Sequence, residues 1–124
     1  MRLLLDTHVL LWWLADDPAL PPIIRAAIAD PGTEAFVSAA TAWEIAIKQA
    51  LGKLDFPVDE LTAVLADGGF SELPITIEHA RRAGALPRHH SDPFDRMLVA
   101  QAQHEGLTIA TVDQTIGLYA VASI

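Results

Sequence analysis

Leu3-Leu4-Leu5 is apolar at every position, stops at Asp6, and is followed by Val9, Leu10, Trp13 and Leu14 at helical spacing. A strand with no polar face has to be covered on both sides, which an antiparallel sheet open to water does not provide. The same order returns at Ala35-Phe36-Val37-Ser38, followed from Thr41 by a helical run to Leu51 with Gly52 as its stop. Leu107 to Val112 is the clearest strand, ending at Asp113, and Asp92-Pro93-Phe94-Asp95 opens the helix before it with an N-cap residue, Pro at the first position and an acid at the third. Alternating strands and helices of this kind predict an α/β fold, with a short, mostly parallel sheet flanked by helices on both faces.

The remaining segments fill in that plan. Leu20-Pro21-Pro22 starts a helix carrying Ile23, Ala27 and Ile28 and ended by Asp30-Pro31-Gly32. Pro57 to Leu65 is a further helix stopped by Gly68-Gly69, Phe70 to Ile75 a weak strand interrupted by Pro, and Thr76 the cap of a helix from Ile77 to Ala83. A last strand is expected around Tyr119-Ala120-Val121. With 124 residues, 52% of them hydrophobic, and no abrupt shift in composition, one domain over 1–124 is expected.

The chain has no cysteine, which excludes disulfide frameworks, thiolate-ligated metals and thiol catalysis. Its apolar start is broken by Asp6, and the uncharged stretch from Val9 to Ala15 is too short to span a bilayer, so a cytoplasmic, membrane-free protein is expected. Sixteen acidic against eight basic residues give a formal net charge of −8. Such a field repels polyanions, so any dealing with nucleic acid requires bound cations, a local basic patch or a partner.

The acids fall where a parallel sheet builds its sites, outside the carboxyl ends of the strands. Asp6 follows the first strand, Asp113 the clearest one, Asp95 lies in a first helical turn and Glu44 about one turn into the helix after the second strand. Each also has an ordinary use: Asp6 and Asp113 can cap the helix or turn after them, Asp95 can support the Asp92 cap, and Glu44 can pair with Lys48 one turn on. As a group they differ, because Asp6 interrupts two apolar runs and Glu44 sits between Trp43 and Ile45. Carboxylates gathered in such surroundings raise one another's pKa unless a cation neutralises them, and all-oxygen ligation suits Mg²⁺ or Mn²⁺. Metal-dependent hydrolysis of a phosphodiester is the chemistry this implies.

The segments Leu3-Leu4-Leu5-Asp6-Thr7-His8, Trp43-Glu44-Ile45, Asp92 through Ala102 and Thr111-Val112-Asp113, in this order and in a chain of this size, resemble the PIN-domain ribonucleases, and among them the VapC toxins of bacterial toxin–antitoxin pairs. The resemblance implies an endoribonuclease in which Asp6, Glu44, Asp95 and Asp113 hold Mg²⁺ or Mn²⁺, with Thr7 supporting them by hydrogen bonding. Asp92 lies three residues before Asp95; the family pattern of Asp followed by Leu98-Val99-Ala100 and Ala102 assigns the metal role to Asp95 and leaves Asp92 as the cap. A VapB-type antitoxin that reaches an Arg toward the acids, and a homodimer, are further implications. Trp12, Trp13 and Trp43 are candidates for the apolar groove such a partner needs, with at least one of them expected in the core.

Basic residues suited to RNA phosphates are Arg81, Arg82 and Arg88, close to His79, His89 and His90, together with Lys48 and Arg96 beside the acids. Adjacent His89-His90 without a spaced third ligand does not make a metal site. His8 is expected to be packed or hydrogen-bonded. A phosphorylation receiver would need a Lys late in the chain, a haloacid-type phosphatase an Asp at position 8, and a flap-type nuclease more residues than these. The alternative of another class is a catalytically silent PIN-like interaction module, which predicts no divalent binding.

Overall fold

The computed structural model describes residues 1–124. In chain order the elements are β1 (Arg2–Leu5), α1 (Thr7–Leu14), α2 (Pro22–Ala29), β2 (Glu34–Ser38), α3 (Ala39–Ala50), α4 (Leu61–Asp67), β3 (Ser71–Leu73), α5 (Ile77–Ala85), α6 (Pro93–Glu105) and β4 (Thr108–Ala110). The strands form one four-stranded sheet in the order β3-β2-β1-β4, and every pairing is parallel.

Successive side chains of β1 point to opposite faces, and each face has its own core. Leu3 and Leu5 join Val9, Leu10, Ile24, Val37, Ile45 and Leu65 on one side. Leu4 joins Leu98, Val99, Ala102, Ile109 and Ile116 on the other. The result is a three-layer sandwich, as the all-apolar character of Leu3-Leu4-Leu5 requires. These three leucines are fully buried, so truncating any one to Ala costs about 2–5 kcal/mol. No helix is long and apolar enough to cross a membrane.

Strand order reverses at β1, which has β2 on one side and β4 on the other. The carboxyl ends of β1 and β4 therefore form the crevice where open α/β sheets place their ligands. Asp6 leaves β1 at this edge, its N–H bonded to the Ala110 carbonyl of β4.

Several boundaries differ from those read in the sequence. β4 is only Thr108–Ala110, so Asp113 stands three residues beyond its end rather than directly after it. No strand forms at Tyr119–Val121: Ile116–Leu118 is a 3₁₀ turn, Tyr119 buries its ring, and the chain pairs with β4 only at Ser123 against Ile109. Tyr119 is turned inward because its hydroxyl bonds the 87–90 loop, which takes it off the sheet edge. α3 begins at Ala39 under a Ser38 cap, which frees Thr41 for a buried role. The segment after Pro57 opens with a 3₁₀ turn, Val58–Glu60, before α4. β3 shrinks to Ser71–Leu73, just before Pro74, which has no N–H for the ladder.

Candidate active site

Asp6 occupies the N-cap position of α1 yet makes no side-chain cap bond. Its main chain meets the helical requirement instead, the Asp6 carbonyl accepting the Leu10 N–H. The carboxylate is thereby left to face the crevice, buried to 4% exposure, with Oδ2 accepting a 2.7 Å hydrogen bond from Thr111 Oγ1. Burial raises its pKa, opposed by the Thr111 bond.

Glu44 enters from α3, at 7% exposure. Thr7 Oγ1 donates to its Oε1 at 2.7 Å, and Lys48 Nζ binds Oε2 at 2.8 Å from one helical turn on. This is not the solvated surface pair that the Glu44–Lys48 spacing allows. The Lys48 ammonium is stabilised by its hydrogen bond to Glu44 and by the negative charges of Asp92 and Asp95, so its pKa is raised despite the opposing effect of desolvation.

At the start of α6, Asp92 caps the helix, Oδ1 accepting the N–H groups of Phe94 at 2.8 Å and Asp95 at 3.4 Å. Asp95 is left facing the acids. Its pKa is pushed up to about 7, first by burial and then by the negative charges of Asp6, Asp92 and Glu44. The group that offsets this is His90, whose Nε2 lies 3.0 Å from Asp95 Oδ2 and 2.8 Å from Asp113 Oδ2. Asp113 reaches the cluster from the loop beyond β4, with Oδ1 accepting the Thr115 N–H in a local turn. Desolvation would raise its pKa, but the His90 bond and the Thr115 N–H hold it below the ordinary carboxylate value. Burial alone would lower the pKa of His90; the Asp113 bond and the charge of Asp95 raise it.

The structure thus brings Asp6, Glu44, Asp95 and Asp113 to one edge, with Thr7, Asp92 and Lys48 beside them. The other predicted basic residues divide. Arg81 and Arg82 are both engaged by Glu78 on their own helix. Arg96 is a clamp, its guanidinium donating to the carbonyls of Ala83, Leu86, Pro87 and His90. Arg88 is exposed and, with Gly84, His89, His90, Ser91 and Arg96, lines a cleft of about 500 Å³ that contains no carboxylate. None of the three tryptophans is fully buried: Trp12 and Trp13 lie half-buried against the first core and Trp43 is 63% exposed, edge-on to Phe94. His8 is exposed, with its ring packed against that of Trp12.

His90 and Thr111 are the members of the site whose roles beside the acids the sequence did not reveal. Thr111 carries a usable signal, a hydroxyl just past an apolar strand and two residues before an acid. His90 was legible only as half of a histidine pair, because its partners Asp95 and Asp113 come from other segments.

The donor chemistry fits a hard divalent cation. Asp95 combines half-burial with a carboxylate that its surroundings keep from ionising at its ordinary pH, and an oxygen-rich anionic cluster of this kind is relieved by Mg²⁺ or Mn²⁺.

The family model of the PIN domain matches residues 3–122. Among solved structures, the fold is shared with VapBC2 from Rickettsia felis, a complex bound to a promoter DNA fragment, at a TM-score of 0.72 and 11% identity, covering 100% of this chain and 98% of that one. FitAcB from Neisseria gonorrhoeae superposes with a TM-score of 0.67 at 22% identity, covering 98% of this chain and 96% of that one. A toxin–antitoxin complex from Klebsiella pneumoniae gives 0.66 at 19% identity, over 98% of this chain and 94% of that one. No curated protein sequence matches the chain.

Proposed function

The chain belongs to the PIN-domain family, and from that premise we propose that it is a divalent-metal-dependent endoribonuclease toxin of the VapC type, restrained by a VapB-type antitoxin. The observation that carries the reading is the meeting of four acids from separate elements: Asp6 buried at the end of β1, Glu44 buried in α3, and Asp95 and Asp113 at 3.0 and 2.8 Å from the same His90 nitrogen, a crowding that together with burial pushes the Asp95 pKa up to about 7.

Asp6 and Asp95 are the oxygens that would hold Mg²⁺ or Mn²⁺ directly, with Asp113 and Glu44 completing the acidic set. When bound, such an ion polarises a phosphodiester, lowers the pKa of water and stabilises the leaving oxygen. Thr111 fixes Asp6 and Thr7 fixes Glu44, so neither carboxylate has to be reoriented as substrate arrives. Lys48 puts a positive charge beside Glu44 and near Asp95, suited to a phosphate oxygen.

A chain of net charge −8 needs a local route for RNA, and the cleft bearing Arg88, His89, His90 and Arg96 adjoins the acids and contains none itself. Arg88 is its free cation and Arg96 adds charge while clamping the loop. The groove between α1 and the segment after α3, about 490 Å³ and lined by Leu11, Trp12, Leu14, Leu54 and Phe56, offers an antitoxin the apolar surface it requires. The structural neighbour from Klebsiella pneumoniae is itself a toxin–antitoxin complex, which supports a partner of that class. A cytoplasmic homodimer is the assembly we propose.

The test is cleavage of total RNA by purified protein. Cutting with Mg²⁺ or Mn²⁺ that is lost with EDTA and in both Asp6→Asn and Asp95→Asn supports the reading; intact RNA under all conditions, with no binding of either ion, supports a silent interaction module instead.

A further inference from the structure

His90 is held from four directions. Its backbone N–H donates to Tyr119 Oη at 2.8 Å, and that hydroxyl in turn donates to the Pro87 carbonyl at 2.9 Å. Its carbonyl accepts from Arg96 at 3.4 Å. The ring Nδ1 accepts the Asp92 N–H at 3.1 Å, and Nε2 meets Asp113 Oδ2 at 2.8 Å and Asp95 Oδ2 at 3.0 Å. The ring is only 16% exposed, and turning it over would put carbon against both the amide and the carboxylates.

These contacts fix the tautomer. A backbone N–H always donates, so the nitrogen facing Asp92 presents a lone pair, and a neutral ring then carries its proton on the other nitrogen. The ring therefore directs an N–H, not a lone pair, at Asp113, with Asp95 Oδ2 3.0 Å from the same nitrogen. A histidine that ligates a metal has the opposite arrangement, with the lone pair toward the ion and the remaining N–H donated to an acceptor. Here no acceptor faces Nδ1, so the three-group cluster of His90, Asp95 and Asp113, whose atoms lie close enough to hold an ion, is one in which the nitrogen is the wrong partner for it.

From this geometry we infer that His90 is a positioning residue locked as an Nε2–H donor: it draws Asp113, from the loop beyond β4, onto Asp95 at the start of α6, and stays outside the coordination sphere of the ion. The inference rests on the proposed metal site, and it explains why an acid carried on a loop past the strand can serve that site. Arg96 and Tyr119 contribute by fixing the loop that carries the ring.

Nitrogen-15 NMR of the imidazole at pH 8 reads the tautomer directly. The expected spectrum has Nε2 protonated and Nδ1 bare in metal-free protein, unchanged by saturating Mg²⁺; a protonated Nδ1, or loss of the Nε2 proton when Mg²⁺ is added, overturns the inference. Calorimetric titration of Mg²⁺ gives the second arm. His90→Ala lowers affinity by about 10–100-fold. His90→Gln, whose amide nitrogen can donate from a similar position, recovers most of it with the same melting temperature as wild type. Equal Mg²⁺ affinity in His90→Ala and wild type contradicts the positioning role. A wild type that binds no Mg²⁺ refutes the proposed function, while the metal-free spectrum still decides the tautomer.

Discussion

Thr7 Oγ1 lies 2.7 Å from Glu44 Oε1 and 3.3 Å from Thr41 Oγ1, tying the first turn of α1 to the interior of α3 at the carboxyl edge of the sheet. All three residues are buried, so the bond is made where the loss of a donor is felt fully. Thr7→Val keeps the shape and removes the hydroxyl. It leaves one Glu44 oxygen without its donor at a cost of about 1–3 kcal/mol, and it should lower RNA cleavage more than Thr7→Ser; denaturant unfolding and initial rates on one RNA check both.

Asp95 makes its own pH-dependent contribution to the stability of the metal-free protein. An unfolded Asp ionises near 3.8, whereas the folded pKa is about 7, so the folded state holds the proton more tightly. The contribution of this group to stability is therefore fully present below pH 4, falls as the pH rises, and is lost by about pH 7. Asp95→Asn removes the penalty and should stabilise the metal-free protein at pH 8 by on the order of 2 kcal/mol while abolishing cleavage. Chemical denaturation at pH 4 and pH 8 in EDTA, wild type against variant, measures the difference.

A divalent ion held by these acids would act on the same repulsion. An ion that binds only the folded state stabilises it by about 2.7 kcal/mol at a concentration one hundred times its Kd. Mg²⁺ or Mn²⁺ should therefore raise the melting temperature of wild type by several degrees and leave Asp95→Asn nearly unmoved, with EDTA reversing the shift; thermal scans across a concentration series test this.

Arg96 serves as a loop clamp in addition to carrying charge. Its guanidinium reaches four carbonyls between Ala83 and His90, and the planar fork that does so has no equivalent in lysine. Arg96→Lys should therefore lose about 1–3 kcal/mol despite keeping its charge, whereas Arg88→Ala should leave stability unchanged and weaken RNA binding, with a shallower salt dependence. Melting curves and RNA binding at two salt concentrations separate the two roles.

The strand-and-helix alternation was legible because Leu3-Leu4-Leu5 permits only a doubly covered sheet, and Asp92-Pro93 marks a helix start without tertiary help. The final segment was not: Tyr119 has strand propensity, but its hydroxyl bonds to the 87–90 loop and the pairing moved to Ser123, a long-range preference that local pattern does not encode. In the site, the positions of Asp6 and Asp95 follow from where strands end and helices begin. Asp113 was placed directly after a strand that is in fact shorter, and its approach to Asp95 depends on His90, which lies 23 residues away in sequence. Arg81 and Arg82 showed as a basic cluster, yet Glu78 one turn earlier on the same helix face takes both.

Growth inhibition offers the cellular counterpart. Expression without a partner should arrest growth in wild type and not in Asp6→Ala, provided that both accumulate to equal levels on an immunoblot; equal toxicity of the variant would put the harmful chemistry elsewhere.

The most direct measurement is anomalous diffraction from crystals grown with millimolar Mn²⁺. An anomalous peak within about 2.2 Å of carboxylate oxygens from both Asp6 and Asp95, with His90 outside the ligand shell, is the predicted result. Manganese found only at surface carboxylates, with Asp6 and Asp95 bare, would contradict the account.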